Sequence, residues 1–210
     1  MPTLIALEPR KTPLQARATA TVDTILEATV QVLLAVGADR LTTTRVAQRA
    51  GVSVGTLYQY FPNKQSLLFA VFAAHMETIS REIEAACHQA RSQPLAEMIK
   101  RVVETYIDTK MQRADISTAL YKVSADLGGA AILKPAIQRM RKAVDSMLQT
   151  APDIELSPDK FAIDMMQSAM AGAMRSALET GLSPAMVRKM KEHLVLLCQS
   201  YMAAALSIRH

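Results

Sequence analysis

The sequence predicts an all-α protein of about nine helices, and three observations carry that prediction. Half of the 210 residues are hydrophobic, and Ala, Leu and Met, with 13 methionines, dominate that half. These are strong helix formers. No stretch alternates β-branched and polar residues as a half-buried strand would. Apolar side chains instead recur at three- and four-residue spacing along most of the chain, the stripe of an amphipathic helix.

The elements follow in order. Residues 1–16 hold Pro2, Pro9 and Pro13 beside Arg10 and Lys11 with no helical period, which predicts a flexible basic arm. Such an arm is either an ordinary terminus or a segment that touches a polyanion. From Arg17 to Val36, a stripe of Val22, Ile25, Leu26, Thr29, Val32, Leu33 and Val36 predicts a first helix, ended by Gly37 as a left-handed cap. Leu41 then leads into Thr42–Thr44, with Thr43 the expected N-cap of the next helix.

The stretch Thr43–Lys64, TTRVAQRAGVSVGTLYQYFPNK, predicts two short helices joined by a tight turn. Ala47 is small and faces inward, and Gly51, four residues on, can adopt the positive φ of a sharp turn. Ser53 is placed to cap the second helix. Val46, Ala50, Val52 and Leu57 would hold the pair at a fixed angle. The exposed remainder, Val54, Gly55, Thr56, Tyr58, Gln59 and Tyr60, is short, neutral and rich in hydrogen-bonding groups. That suits a helix entering the major groove better than a plain apolar hairpin. Pro62 stops it, and Asn63 is the expected N-cap of a third helix from Lys64.

Phosphate contact is assigned to Thr43, Tyr58, Tyr60 and Lys64, near helix N-termini whose N–H groups favour anions. Base-edge contact is assigned to Thr44, Val54, Gly55, Thr56 and Gln59. Arg45 is basic and adjacent; Arg49 is either a further contact or a solvated face. Residues 1–75 carry 7 Lys/Arg against 4 Asp/Glu, whereas residues 76–210 carry 17 against 15. Most of the net charge of +5 therefore sits in the N-terminal third, which favours a polyanionic partner there.

The run TTTRVAQRAGVSVGTLYQYFPNKQSLLFAVF resembles the N-terminal signature of the TetR family of bacterial transcriptional regulators. The A-x-x-x-G-V-S turn, the T-L-Y-x-Y-F helix and the F-x-N-K-x-x-L entry to the next helix carry the resemblance. It spans about 50 residues once the preceding helix is included. Gln59 departs from the aromatic residue that many relatives carry there. The resemblance implies a helix–turn–helix DNA-binding domain over 17–75 and an effector-binding and dimerisation domain over 76–210.

The next helix, Lys64 to about Arg91, is apolar through Leu67, Leu68, Val71 and Phe72 and more polar beyond His75. By resemblance it links the two domains. Further helices are expected at 94–111, at 115–127 ended by a break at Gly128 and Gly129, at 130–150 (with Pro135 inside) and at 159–180, capped by Ser157 with Pro158 at its first position. Met98, Tyr106, Tyr121, Met140, Met166 and Met170 on these helices suit either ordinary core or an adaptable, mainly apolar effector pocket.

The helix 159–180 repeats Ser168, Gly172 and Ser176 every four residues, and small residues let another helix come close. The last helix repeats Val187, Leu194, Tyr201 and Ile208 every seven, with Met190, Leu197 and Ala204 between. These faces are either buried within one subunit or form a dimer seam. The resemblance favours the seam, with two helices from each subunit in a four-helix bundle.

Catalysis finds no support. His75, His88, His193 and His210 have no metal-ligand spacing, Cys87 and Cys198 are far apart, and no nucleophile elbow or phosphate-binding loop occurs. Asp126, Glu104 and Asp108 read as solvated or ion-paired, and no cofactor is implied. The absence of a secretory pattern and of an 18-residue apolar run predicts a soluble, cytoplasmic protein without a membrane partner. The expected function is a homodimeric repressor on a pseudo-palindromic double-stranded DNA operator, released by a small lipophilic ligand. The alternatives are control by a protein partner and, more remotely, a helical enzyme.

Overall fold

The computed structural model describes residues 16–124, 129–155 and 158–206. They form α1 (Ala16–Arg40), α2 (Thr43–Ala50), α3 (Val54–Tyr60), α4 (Lys64–Gln89), α5 (Leu95–Gln112), α6 (Ala114–Ser124), α7 (Gly129–Leu148), α8 (Lys160–Thr180) and α9 (Pro184–Ala205). Among the described residues there is no strand. The arm through residue 15, Asp126, Leu127, Gly128, Ser157, Ile208 and His210 lie outside the described residues.

Two compact units are present: one comprises the described residues up to His75 together with Ala119–Ile132, the other Met76–Thr118 and Leu133–His210. In the first, Ile25, Thr29, Val32 and Leu33 of α1 are buried with Val46 and Ala47 of α2, Leu57 of α3, and Leu67, Leu68, Val71 and Phe72 of α4. Thr29 satisfies its buried hydroxyl by donating to the Ile25 carbonyl at 2.7 Å. The Ala18–Arg40 part of α1 is long and apolar enough to cross a membrane, but Ile25, Val32 and Leu33 are already used in this core.

Three local features set the entry to the helix–turn–helix. Gly37 does not cap α1 in the left-handed helical region, as its sequence position suggested. It breaks the helix at φ 76°, ψ 168°, an extended conformation reserved for glycine, and one further turn follows. The cap of α2 is Thr42 rather than Thr43: Thr42 is extended and its hydroxyl accepts the Arg45 N–H at 3.2 Å. Three consecutive threonines offer equivalent caps, and only the backbone distinguishes them. Gly51 turns the chain at φ 67°, ψ 27°, and the Val52 N–H returns to the Ala47 carbonyl at 3.0 Å.

In the second unit α5 packs on α8 and α9, and α8 on α9. Pro94 precedes α5 without a capping side chain, and the Asp153 carboxylate takes the Leu95 N–H instead, at 2.9 and 3.1 Å. Asp159, not Ser157, caps α8 by accepting the Ala162 N–H at 2.6 Å. Ser183 caps α9 with Pro184 in its first turn. Arg139 of α7 grips α4 twice, donating to both Glu84 carboxylate oxygens at 2.8 Å each and also to Glu77.

Candidate nucleic-acid interface

Helix α3 has one buried anchor, Leu57, and is stopped by buried Phe61. This fixes which way the rest of the helix points. Val54, Gly55, Tyr58 and Gln59 are exposed, while Thr56 and Tyr60 are half-buried. Val54 and Tyr58 leave 36% and 41% of their surface open. A Cβ at exposed Gly55 would meet only Ser53 Oγ, at 3.7 Å, an ordinary contact.

The start of α3 is a closed network. Ser53 Oγ accepts the Thr56 N–H at 2.9 Å and lies 2.8 Å from Thr56 Oγ1. The Thr56 hydroxyl, assigned to a base edge from sequence, shares one hydrogen bond with Ser53 within the cap and keeps further hydrogen-bonding capacity beside its methyl. From α2 the Thr43 hydroxyl reaches the Tyr58 hydroxyl at 3.1 Å. Thr44 and Arg45 are exposed beside it.

The cations are partly engaged. Lys64 Nζ donates to the Ala38 carbonyl at 2.9 Å, tying the start of α4 to the turn after Gly37. An ammonium carries three donors, so two remain. Arg45 Nη1 donates to the Arg40 carbonyl at 2.9 Å, and Arg49 Nε donates to Gln31. Asn63 caps α4 by accepting the Ser66 N–H at 2.8 Å, while the Ser66 hydroxyl donates to the Asn63 carbonyl at 2.7 Å. Sequence reasoning had the Asn63 cap but missed its partner Ser66, which is fully buried.

The residues proposed for an effector pocket divide. Met98, Tyr106, Met140, Met166 and Met170 are 0–9% exposed in the second unit, packed as core. Tyr121 is half-buried and belongs to the first unit. None of the six lines the cleft of about 320 Å³ beside the α5–α6 turn. Helical spacing alone cannot separate the wall of a cavity from a filled interior.

On α8, Ser168, Gly172 and Ser176 are exposed, and Phe161 and Met165 extend that stripe with 70% and 45% of their surface open. On α9 the heptad reading needs correction. Leu194 is only 5% exposed and joins Cys198 and Met202 as the inward stripe of its own protomer. Val187, Met190 and Tyr201 are half-buried, and the outward apolar groups are Met186, Leu196 and Leu197. A helix apolar on two sides repeats every seven residues on both, so the period does not say which side is internal. Burial pushes the Cys87 thiol up to about 12 and the Cys198 thiol up to about 11. No group of three or more His, Cys, Asp or Glu that could hold a metal ion occurs among the described residues.

Residues 25–71 match the model of the bacterial regulatory proteins of the tetR family, and residues 94–202 match the tetracyclin repressor-like C-terminal domain. The transcriptional repressor KstR of Rhodococcus jostii is 30% identical over 145 residues, 66% of this chain and 63% of KstR. The nucleoid occlusion factor SlmA of Haemophilus ducreyi is 32% identical over 84 residues, 40% of this chain and 41% of that protein. The chain thus spans less than two thirds of these curated relatives. Among solved structures, one assigned as a TetR-family transcriptional regulator from Mesorhizobium loti superposes with TM-score 0.74 at 16% identity, covering 90% of this chain and 98% of that one. The regulator LfrR of Mycobacterium smegmatis, solved in complex with proflavine, superposes with TM-score 0.59 at 21% identity, covering 89% and 98%. At these identities the structures share the fold.

Proposed function

The chain belongs to the TetR family and is a DNA-binding transcriptional regulator rather than an enzyme; from that premise we propose that it acts in the cytoplasm as a homodimeric repressor. It binds a pseudo-palindromic double-stranded operator and leaves it when a small, mainly lipophilic ligand binds residues 76–210. The observation that carries the reading is the face of α3. Its exposed Val54, Gly55, Tyr58 and Gln59 stand beside the Thr43–Tyr58 hydroxyl pair, so groups for base edges and groups for phosphate share one surface. Gln59 suits adenine, and Val54 with the Thr56 methyl suits thymine methyls.

Dimerisation rests on the outward faces of α8 and α9. Phe161, Met165, Leu196 and Leu197 are large, apolar and 45–70% exposed in the protomer. They adjoin a small-residue stripe that lets a second helix approach. Two copies joined there present two α3 helices and hence read two half-sites, about one helical turn apart or slightly more. Ligand release is supported by the family and by a fold neighbour that holds proflavine. The ligand must prefer the state whose recognition helices no longer match the operator.

In vitro selection of random duplex DNA with the purified chain at moderate salt tests the reading. The expected product is a palindrome with two half-sites at that spacing. Recovery of unspecific, salt-sensitive binding alone would overturn sequence-specific regulation by the free protein.

A further inference from the structure

The single turn that follows the break in α1 collects two cations. Carbonyls at the end of a helix have no intrahelical donor and attract positive charge. The Leu41 N–H is shared between the Gly37 and Ala38 carbonyls, at 3.2 and 3.3 Å, which leaves Ala38 a second lone pair. Lys64 Nζ, at the start of α4, donates to that Ala38 carbonyl at 2.9 Å. Arg45 Nη1, from the first turn of α2, donates to the Arg40 carbonyl, also at 2.9 Å. The helices before and after α3 thus each moor a cation on the same turn.

This convergence needs the break at Gly37 (φ 76°, ψ 168°). Peptide carbonyls of an unbroken helix lie roughly parallel to its axis. A helix continued through residue 37 would direct those of Ala38 and Arg40 along α1. No atom lies within 4 Å of a Cβ added at Gly37, so the torsion, not space, requires glycine there.

A moored cation is still able to act. Lysine carries three donors and arginine five, so each spends one on the turn. A neutral carbonyl leaves the positive charge in place, where a carboxylate partner would cancel it. Ordering a long side chain during folding also removes part of the cost of ordering it on binding. Arg49 is held differently, by Gln31 in a shallow cleft beside Asp23 and Glu27, whose charge opposes its use on a phosphate.

From this we infer that the Gly37–Arg40 turn is a positioning element for DNA affinity. It holds Arg45 and Lys64 ready as a pair of phosphate contacts, and Gly37 is the residue that sets it. The inference rests on the reading above that this face meets DNA, and adds residues that act without touching it.

Fluorescence anisotropy of the full chain on a mixed-sequence duplex tests it, because phosphate contacts carry unspecific binding and need no known operator. Arg45→Met and Lys64→Met should each cost about tenfold in affinity, the scale of one charge-assisted hydrogen bond. Together they should flatten the slope of log affinity against log salt by about two units. Gly37→Ala should cost about tenfold in the parent and nothing further once both cations are gone. A glycine that only stabilises the fold would cost the same in both backgrounds, with circular dichroism showing every variant folded.

Should Gly37→Ala not fold, a second cycle replaces the first. Each cation also ties down the turn that holds the other, so the two methionine variants combined should lose less than the product of their single losses. Equal glycine losses in the first cycle overturn the inference, as do independent losses in the second where it replaces the first. So does an affinity unmoved by both single variants. Selection on random duplexes is read separately. Cycles that behave as expected without a recovered palindrome keep the positioning turn and sink the operator reading, and failure to bind any duplex sinks both.

Discussion

The hydroxyl oxygens of Thr43 and Tyr58, fifteen residues apart in sequence, lie 3.1 Å from each other across the turn between α2 and α3. Both helices therefore contribute to one polar point. Either hydroxyl can donate to the other, and the partner's proton is then free to turn toward an incoming phosphate oxygen. The pair also ties the exposed Tyr58 ring to α2.

Removing either hydroxyl should weaken operator binding without altering sequence preference. Thr43→Val and Tyr58→Phe are each expected to cost about 1.5 kcal/mol, the scale of a hydrogen bond to a charged group. The double variant should cost less than the sum, because the two act as a unit. Fluorescence anisotropy on matched and mismatched duplexes measures both effects.

Lys64 should report in two ways. Its ammonium donates to the Ala38 carbonyl, so Lys64→Met is expected to lower unfolding stability by about 1 kcal/mol. If a remaining donor meets phosphate, the slope of log affinity against log salt should also flatten by about one unit. Denaturant unfolding separates the first effect from the second. An unchanged slope would leave Lys64 as a brace only.

Two glycines should differ in what replaces them. Neither Gly37 nor Gly51 has any atom within 4 Å of an added Cβ, so torsion alone sets the cost. Gly51 is in the left-handed helical region, which Asn tolerates. Gly37, at ψ 168°, is in a region essentially closed to other residues. Gly51→Asn is expected to cost under about 1 kcal/mol and Gly37→Asn about 1–3 kcal/mol. Thermal unfolding ranks them.

The two leucine faces of α9 make opposite predictions. Leu197→Glu together with Leu196→Glu should give a folded monomer in sedimentation, since both side chains are more than half exposed in the protomer. Leu194→Ala, at 5% exposure, should instead destabilise the protomer itself by about 2–5 kcal/mol. A dimer that survives the double glutamate variant would sink this seam.

The Arg139 grip on α4 predicts an acid-dependent difference. Its hydrogen bond to Glu84 is the main cause holding that carboxyl below its ordinary 4.5. A lowered folded value means the stabilisation is fully present above pH 4.5 and is lost as pH falls through the folded value. Arg139→Met should therefore melt lower than the parent near neutrality, and the gap should close in acid. Melting curves across that range test it; a gap independent of pH would mean the arginine acts only by packing.

Much of the first unit was legible in the sequence because its signals are local. Gly51, Ser53, Asn63 and Pro62 each act within four residues of themselves, and the exposed face of α3 follows from Leu57 and Phe61 being buried. Where several residues could do the same local job, sequence failed: Thr42 took the cap expected of Thr43, and Asp159 the cap expected of Ser157. The second unit was legible only as helices. Which side of α9 is internal depends on where α5 lies, information held in neither helix alone. The grouping of Ala119–Ile132 with the N-terminal residues is non-local in the same way.

The two cysteines have a practical consequence. A peroxide or a disulfide attacks the thiolate, and burial leaves Cys87 and Cys198 with essentially none of it near neutral pH. Occupancy of the operator should therefore be the same in a reducing buffer as after brief exposure to a disulfide reagent, since neither thiol is poised to exchange.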